Sequence, residues 1–96
     1  MVKQNGAVTD EAETKCGFRT IRFDNKTGFW LNGENIKIKG VCNHQDHAGV
    51  GVAVPDALWE FRLRKLKEMG VNAYRVAHNP VAKEFMAACD SMGIML

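Results

Sequence analysis

Two short apolar runs, each broken by a histidine-bearing polar cluster, constrain this chain more than any other feature. The first is Ile38-Lys39-Gly40-Val41-Cys42, which runs into Asn43-His44-Gln45-Asp46-His47. The second is Asn72-Ala73-Tyr74-Arg75-Val76-Ala77, which runs into His78-Asn79-Pro80. Between them lies a segment with helical periodicity. Pro55-Asp56 opens it, with Asp56 expected as the cap. Leu58, Phe61, Leu66 and Met69 form the expected apolar stripe, flanked by Trp59 and Leu63, and Gly70 closes the helix. A second helix is expected over 82–92, with Phe85, Met86, Cys89 and Met92 inward and Gly93 closing it. Ile94-Met95-Leu96 then starts another apolar strand. From residue 36 the order is therefore strand, helix, strand, helix, strand. Crossovers of this kind make successive strands parallel. Polar groups at the carboxyl ends of such strands are where α/β proteins place their chemistry.

The first third reads differently. Residues 1–14 are polar and unpatterned. The run 15–23 alternates apolar and polar residues around Phe18, Ile21 and Phe23, with a slip near Thr20. Asp24-Asn25-Lys26-Thr27-Gly28 is a turn cluster. Phe29-Trp30-Leu31 is a second strand, and Asn32-Gly33 is a strong hairpin signal. Ile36 and Ile38 resume the alternation. This part is β-rich and antiparallel in style.

Composition narrows the function classes. A formal net charge of +2 argues against a nucleic-acid or membrane-surface partner. The one basic cluster, Arg62, Arg64, Lys65 and Lys67, reads as a solvated helix face. Three cysteines without a CxxC pair form neither a disulfide framework nor a zinc ribbon. No apolar run is long enough for a membrane helix, and the first residues lack a secretory leader's apolar core, so the compartment stays open. There is no G-x-S-x-G elbow, phosphate loop or dinucleotide fingerprint, and no cofactor is expected. Two parallel strands and the beginning of a third cannot bury both sheet faces, so these residues are expected to belong to a longer polypeptide.

Adjacent parallel strands would bring Asn43, His44 and Asp46 beside Arg75, His78 and Asn79. That mixture of donors and acceptors suits a hydroxyl-rich ligand. Arg75, inside an apolar strand, is expected to be buried against a carboxylate, either a structural Asp or Glu or a catalytic carboxylate on a strand outside these residues. His47 is expected in solvent. A metal site built from His44, Asp46, His47 and His78 is the competing reading. Asp56, Glu60, Glu68, Glu84 and Asp90 all fall on helices or helix ends, so no pair of catalytic carboxylates assembles at the strand tips.

Gly40-Val41-Cys42-Asn43-His44-Gln45-Asp46-His47, the Asn72 to Pro80 motif, and Cys89-Asp90-Ser91-Met92-Gly93 together resemble glycoside hydrolase family 2. Gly17-Phe18-Arg19-Thr20-Ile21 and Phe29-Trp30-Leu31-Asn32-Gly33 add to the likeness, which covers about residues 16–96. The resemblance implies that 1–35 is the end of an immunoglobulin-like sandwich with its connector. It implies that 36–96 is the first part of a (β/α)8 TIM barrel. It also implies a retaining exo-β-glycosidase, with β-galactosidase the foremost type, whose acid and nucleophile carboxylates stand about 5–5.5 Å apart. Both lie on later strands, so the chain alone is expected to be inactive. His44, Asp46, His78 and Asn79 would bind a β-linked sugar or oligosaccharide, and Arg75 would orient the nucleophile. Unfinished barrel edges would favour self-association. A non-catalytic carbohydrate-binding or interaction remnant, and a metal-binding module, are the alternatives.

Overall fold

Asn-Gly pairs turn the chain twice in its first unit. In the computed structural model, which describes residues 1–96, β1 (Val2–Gln4) and β2 (Ala7–Asp10) form an antiparallel hairpin. Its turn is Asn5-Gly6, both with positive φ. The sequence reading leaves this segment unpatterned, although its Asn-Gly is the same signal as the one at 32–33. A three-stranded antiparallel sheet follows: β3 (Ile21–Asp24), β4 (Gly28–Leu31) and β5 (Glu34–Asn35), in that order. Asn32 (φ 51) and Gly33 (φ 83) make the two-residue turn between β4 and β5, with the left-handed pair that a type I′ turn requires. Asp24 caps the β3–β4 turn by accepting the Thr27 and Lys26 backbone N–H groups at 2.8 and 2.9 Å. Those N–H donors hold its carboxyl below the usual range. Phe23 and Phe29 face each other in register with ring centroids 5.2 Å apart, and Arg22 lies over Trp30 at 4.5 Å.

The strand expected over 15–23 is present only from Ile21. Its pairing with β4 begins at Ile21–Leu31, and Phe18, with no partner strand, is fully exposed. The compact units are Met1–Ile36 and Lys37–Leu96.

In the second unit, β6 (Gly40–Asn43) and β7 (Ala73–Val76) pair in parallel, Gly40 with Ala73 through Asn43 with Val76. Met95 joins the far side of β7 in the same sense. Tyr74 N–H donates to its carbonyl at 2.7 Å, and its own N–H donates to Asn72 O at 2.9 Å. The expected parallel order is thus present. Residues 36–39 are not strand. The Asn72 side chain occupies their backbone instead, donating to Lys37 O (2.9 Å) and accepting from Lys39 N–H (2.8 Å).

Helices α1 (Asp56–Glu68) and α2 (Lys83–Met92) cover one sheet face. Asp56 does not cap α1. Pro55 holds the N-cap position without a side-chain hydrogen bond, and Asp56 is in the first turn, where its charge still complements the helix dipole. Both helices end in paired closing bonds. Gly70 N–H meets Lys67 O and Val71 N–H meets Leu66 O; Gly93 N–H meets Asp90 O and Ile94 N–H meets Cys89 O. The core holds Trp59 and Leu63 from α1, Tyr74 from β7, Phe85 and Cys89 from α2, and Ile94. The Phe85 ring stands edge-on to both Trp59 and Tyr74, with centroids 5.2 and 5.0 Å away. The expected stripe on α1 is displaced. Trp59, Leu63 and Leu66 face inward, while Phe61 and Met69 are exposed. Apolar residues surround this helix, and the face carrying its largest ring wins because it meets Phe85. On α2, Phe85, Cys89 and Met92 pack inward as expected, but Met86 is exposed.

Candidate functional site

Strand pleat sorts the side chains. Val41, Tyr74 and Val76 pack under the helices. Cys42 and Arg75, directly paired in register, are exposed. Within these residues Arg75 is exposed and no carboxylate of the chain covers it. It lies on the sheet face the helices leave open, and its Nη1 donates to Cys42 Sγ at 3.3 Å. No carboxylate pairs with it; the two ion pairs present are Arg22–Asp24 and Lys65–Glu68.

Past the strands, the chain brings the two expected histidines together. The His44 and His78 rings meet edge to face with centroids 5.9 Å apart. Strict alternation would carry His44 on with Cys42 and His78 on with Tyr74 and Val76, on opposite faces. The strands stop at Asn43 and Val76, however, and the chain bends at His78 and Asn79 ahead of Pro80. That bend lets the rings meet. His44, Asp46 and Asn79 line one cavity of about 270 Å³, together with Gln45 and Val52. Four of the expected binding residues thus gather at one strand end, three on the cavity wall and His78 against His44.

A second cavity, about 310 Å³, shares Gln45 and Val52 with the first. Its floor is apolar and aromatic, formed by Trp59, Tyr74, Val76 and Phe85.

The loop after β6 is a tight hairpin. His47 and Gly51 exchange backbone hydrogen bonds of 2.9 and 3.0 Å. His47 is partly buried, and its Nδ1 lies 3.1 Å from Arg62 Nη2. The same guanidinium donates to His44 O at 3.0 Å and to Asp46 O, and lies over the Trp59 ring at 5.1 Å. Sequence reasoning groups Arg62 with a solvated helix face and misses this role. Its acceptors are main-chain carbonyls, which leave no mark in the residue pattern. No three His, Cys, Asp or Glu side chains come together as metal ligands, so His44, Asp46, His47 and His78 do not form the set the metal reading requires.

Comparison with known proteins supplies the family. Residues 21–96 match the model for the TIM barrel domain of glycosyl hydrolases family 2. A putative β-glucuronidase of Formosa agariphila is 45% identical over 93% of this chain. The β-galactosidase BoGH2A of Bacteroides ovatus is 43% identical over 99% of it. Among solved structures, a β-glycosidase from Bacteroides vulgatus superposes with a TM-score of 0.89 at 47% identity over 97% of the chain. The chain spans only 9%, 11% and 12% of these three proteins. The match to a barrel domain accords with the parallel strands and two helices of the second unit, and the chain belongs to glycoside hydrolase family 2.

Proposed function

We propose that these residues form one side of the sugar pocket of a retaining exo-β-glycosidase, with a β-galactoside as substrate. The observation that carries the reading is the meeting of His44 and His78 beside the cavity walled by His44, Asp46 and Asn79. In this reading the two imidazoles and Asn79 hydrogen-bond sugar hydroxyls, and Asp46 accepts from one. Arg75 orients a nucleophilic glutamate supplied from a later barrel strand. Relatives of both β-glucuronidase and β-galactosidase type match the chain. The match to a β-galactosidase, 43% identical over 99% of the chain, supports the galactoside. The unit Lys37–Leu96 would be the start of the barrel, and the antiparallel strands of Met1–Ile36 the end of an immunoglobulin-like sandwich with its connector. The unpaired outer edge of β6 would drive self-association of the isolated chain.

The test is hydrolysis of nitrophenyl β-galactoside and β-glucuronide by the full-length polypeptide carrying these residues. The galactoside should be the better substrate. His78→Ala should cost about 2–4 kcal/mol of transition-state stabilisation, seen in kcat more than in KM. The 96-residue chain alone should show no turnover. A change confined to KM would remove His78 from the transition state, and preference for the glucuronide would reverse the sugar assignment.

A further inference from the structure

We infer that Arg62 is a positioning residue that sets where His44 and Asp46 meet the sugar; this rests on the sugar-pocket reading above. Arg62 stands on α1, the helix that packs into the core of the second unit. Its neighbours Trp59 and Leu63 are core residues, 7% and 0% exposed. Its guanidinium lies over the Trp59 ring. From that base, Nη1 reaches His44 O, while Nη2 reaches Asp46 O and His47 Nδ1. The other hydrogen bonds of residues 46–53 are all local: the His47–Gly51 exchange, Val50 N–H to His47 O, and Ala53 N–H to Val50 O. Arg62 is thus the side chain that ties this hairpin to the helical layer.

The chemistry explains why the residue is arginine. A planar fork with five donors can serve three acceptors at once, whereas an ammonium is a single rotating point. The rest of the basic cluster does something else: Lys65 pairs with Glu68, and Arg64 and Lys67 are exposed. A loop wall that drifts by about 1 Å can cost a hundredfold in rate, because binding groups then miss the geometry of the reacting ring.

The experiment uses the full-length polypeptide with Arg62→Gln and Arg62→Lys, each also combined with the pair His44→Ala and Asp46→Ala. Arg62→Gln should lower kcat/KM about 10–100-fold, mostly through kcat, and Arg62→Lys should recover part of that loss. In the His44→Ala/Asp46→Ala background, Arg62→Gln should add less than about threefold, because both side chains it acts through are already removed. A purely structural role would instead multiply the two losses, and that result overturns the inference. Hydrogen exchange gives an independent arm. The His47 and Gly51 amides should exchange at least about tenfold faster in Arg62→Gln, while core amides such as Leu63 and Tyr74 keep their protection. Unchanged loop exchange overturns the inference, and collapse of core protection in both variants does so too. Absence of glycoside hydrolysis by the unmutated polypeptide would defeat the sugar-pocket reading instead, and the role in catalysis with it; the exchange arm would then still decide whether Arg62 holds the loop.

Discussion

Asn72→Ala should loosen the parallel pair that carries the site. Asn72 pins β7 to the segment before β6 through both ends of its amide. Its Nδ2 donates to Lys37 O at 2.9 Å, and its Oδ1 accepts from Lys39 N–H at 2.8 Å. Its backbone adds a third bond, N–H to Lys39 O at 3.0 Å, which survives truncation. Each lost side-chain bond is worth about 0.5–1.5 kcal/mol net. Lys37 and Lys39 are exposed, so water can reach the abandoned groups, which places the sum at about 1–2 kcal/mol rather than at the top of the range. Urea unfolding of the chain reads this out. A Trp30→Phe background leaves Trp59, a core residue of the second unit, as the fluorescence reporter. Asn72→Asp keeps the acceptor for Lys39 N–H but turns an acceptor oxygen on Lys37 O, so it too should destabilise. A shift below about 0.3 kcal/mol for Asn72→Ala at unchanged m-value would show the amide to be a spectator and refute the reasoning.

Three further outcomes follow from the second unit. Burial, reinforced by the neighbouring Asp90 carboxylate, pushes the Cys89 thiol up to about 11 from 9.0. At pH 8 a thiol reagent should therefore label the exposed Cys16 and Cys42 and spare Cys89 until the unit unfolds. The unfolded chain releases that proton first, so stability should fall between about pH 9 and pH 11, and Cys89→Ala should remove this slope. Gly93 has φ 65, and a Cβ added there would meet nothing within 4 Å. Gly93→Ala therefore creates no clash and should cost about 1 kcal/mol from backbone conformation alone, measurable as a lower melting temperature.

Much of the second unit is legible in residue order. Pro55, Gly70, Pro80 and Gly93 punctuate it, and between them the apolar runs have the lengths of strands and helices. Placing their strands side by side brings His44 and His78 to one sheet end, but the bend at His78 and Asn79 is what lets the rings meet. What escapes are the features decided by three-dimensional competition. The inward face of α1 is ambiguous in sequence because apolar residues lie on all its sides, and only the position of Phe85 selects Trp59 and Leu63 over Phe61 and Met69. Arg75 reads as covered because its neighbours are apolar. The pleat puts it on the open face instead, beside Cys42. Arg62 is indistinguishable from Arg64 until α1 is set against the loop. The Asn5-Gly6 turn carries its own signal, but the residues around it are too polar to announce strands.

The bend at His78 and Asn79 has a consequence for how such a pocket can be altered. Since the imidazoles meet through irregular backbone rather than through sheet geometry, adding or deleting one residue between Val76 and Pro80 would swing one ring away. Ala77 in this span is buried, so the change must fall at the exposed His78 or Asn79 to stay outside the register that runs from Gly40–Ala73 to Asn43–Val76. The ligand-facing tip thus rests on two exposed residues that lie beyond the paired strands, and it is there that a ring can be moved without touching a ladder hydrogen bond.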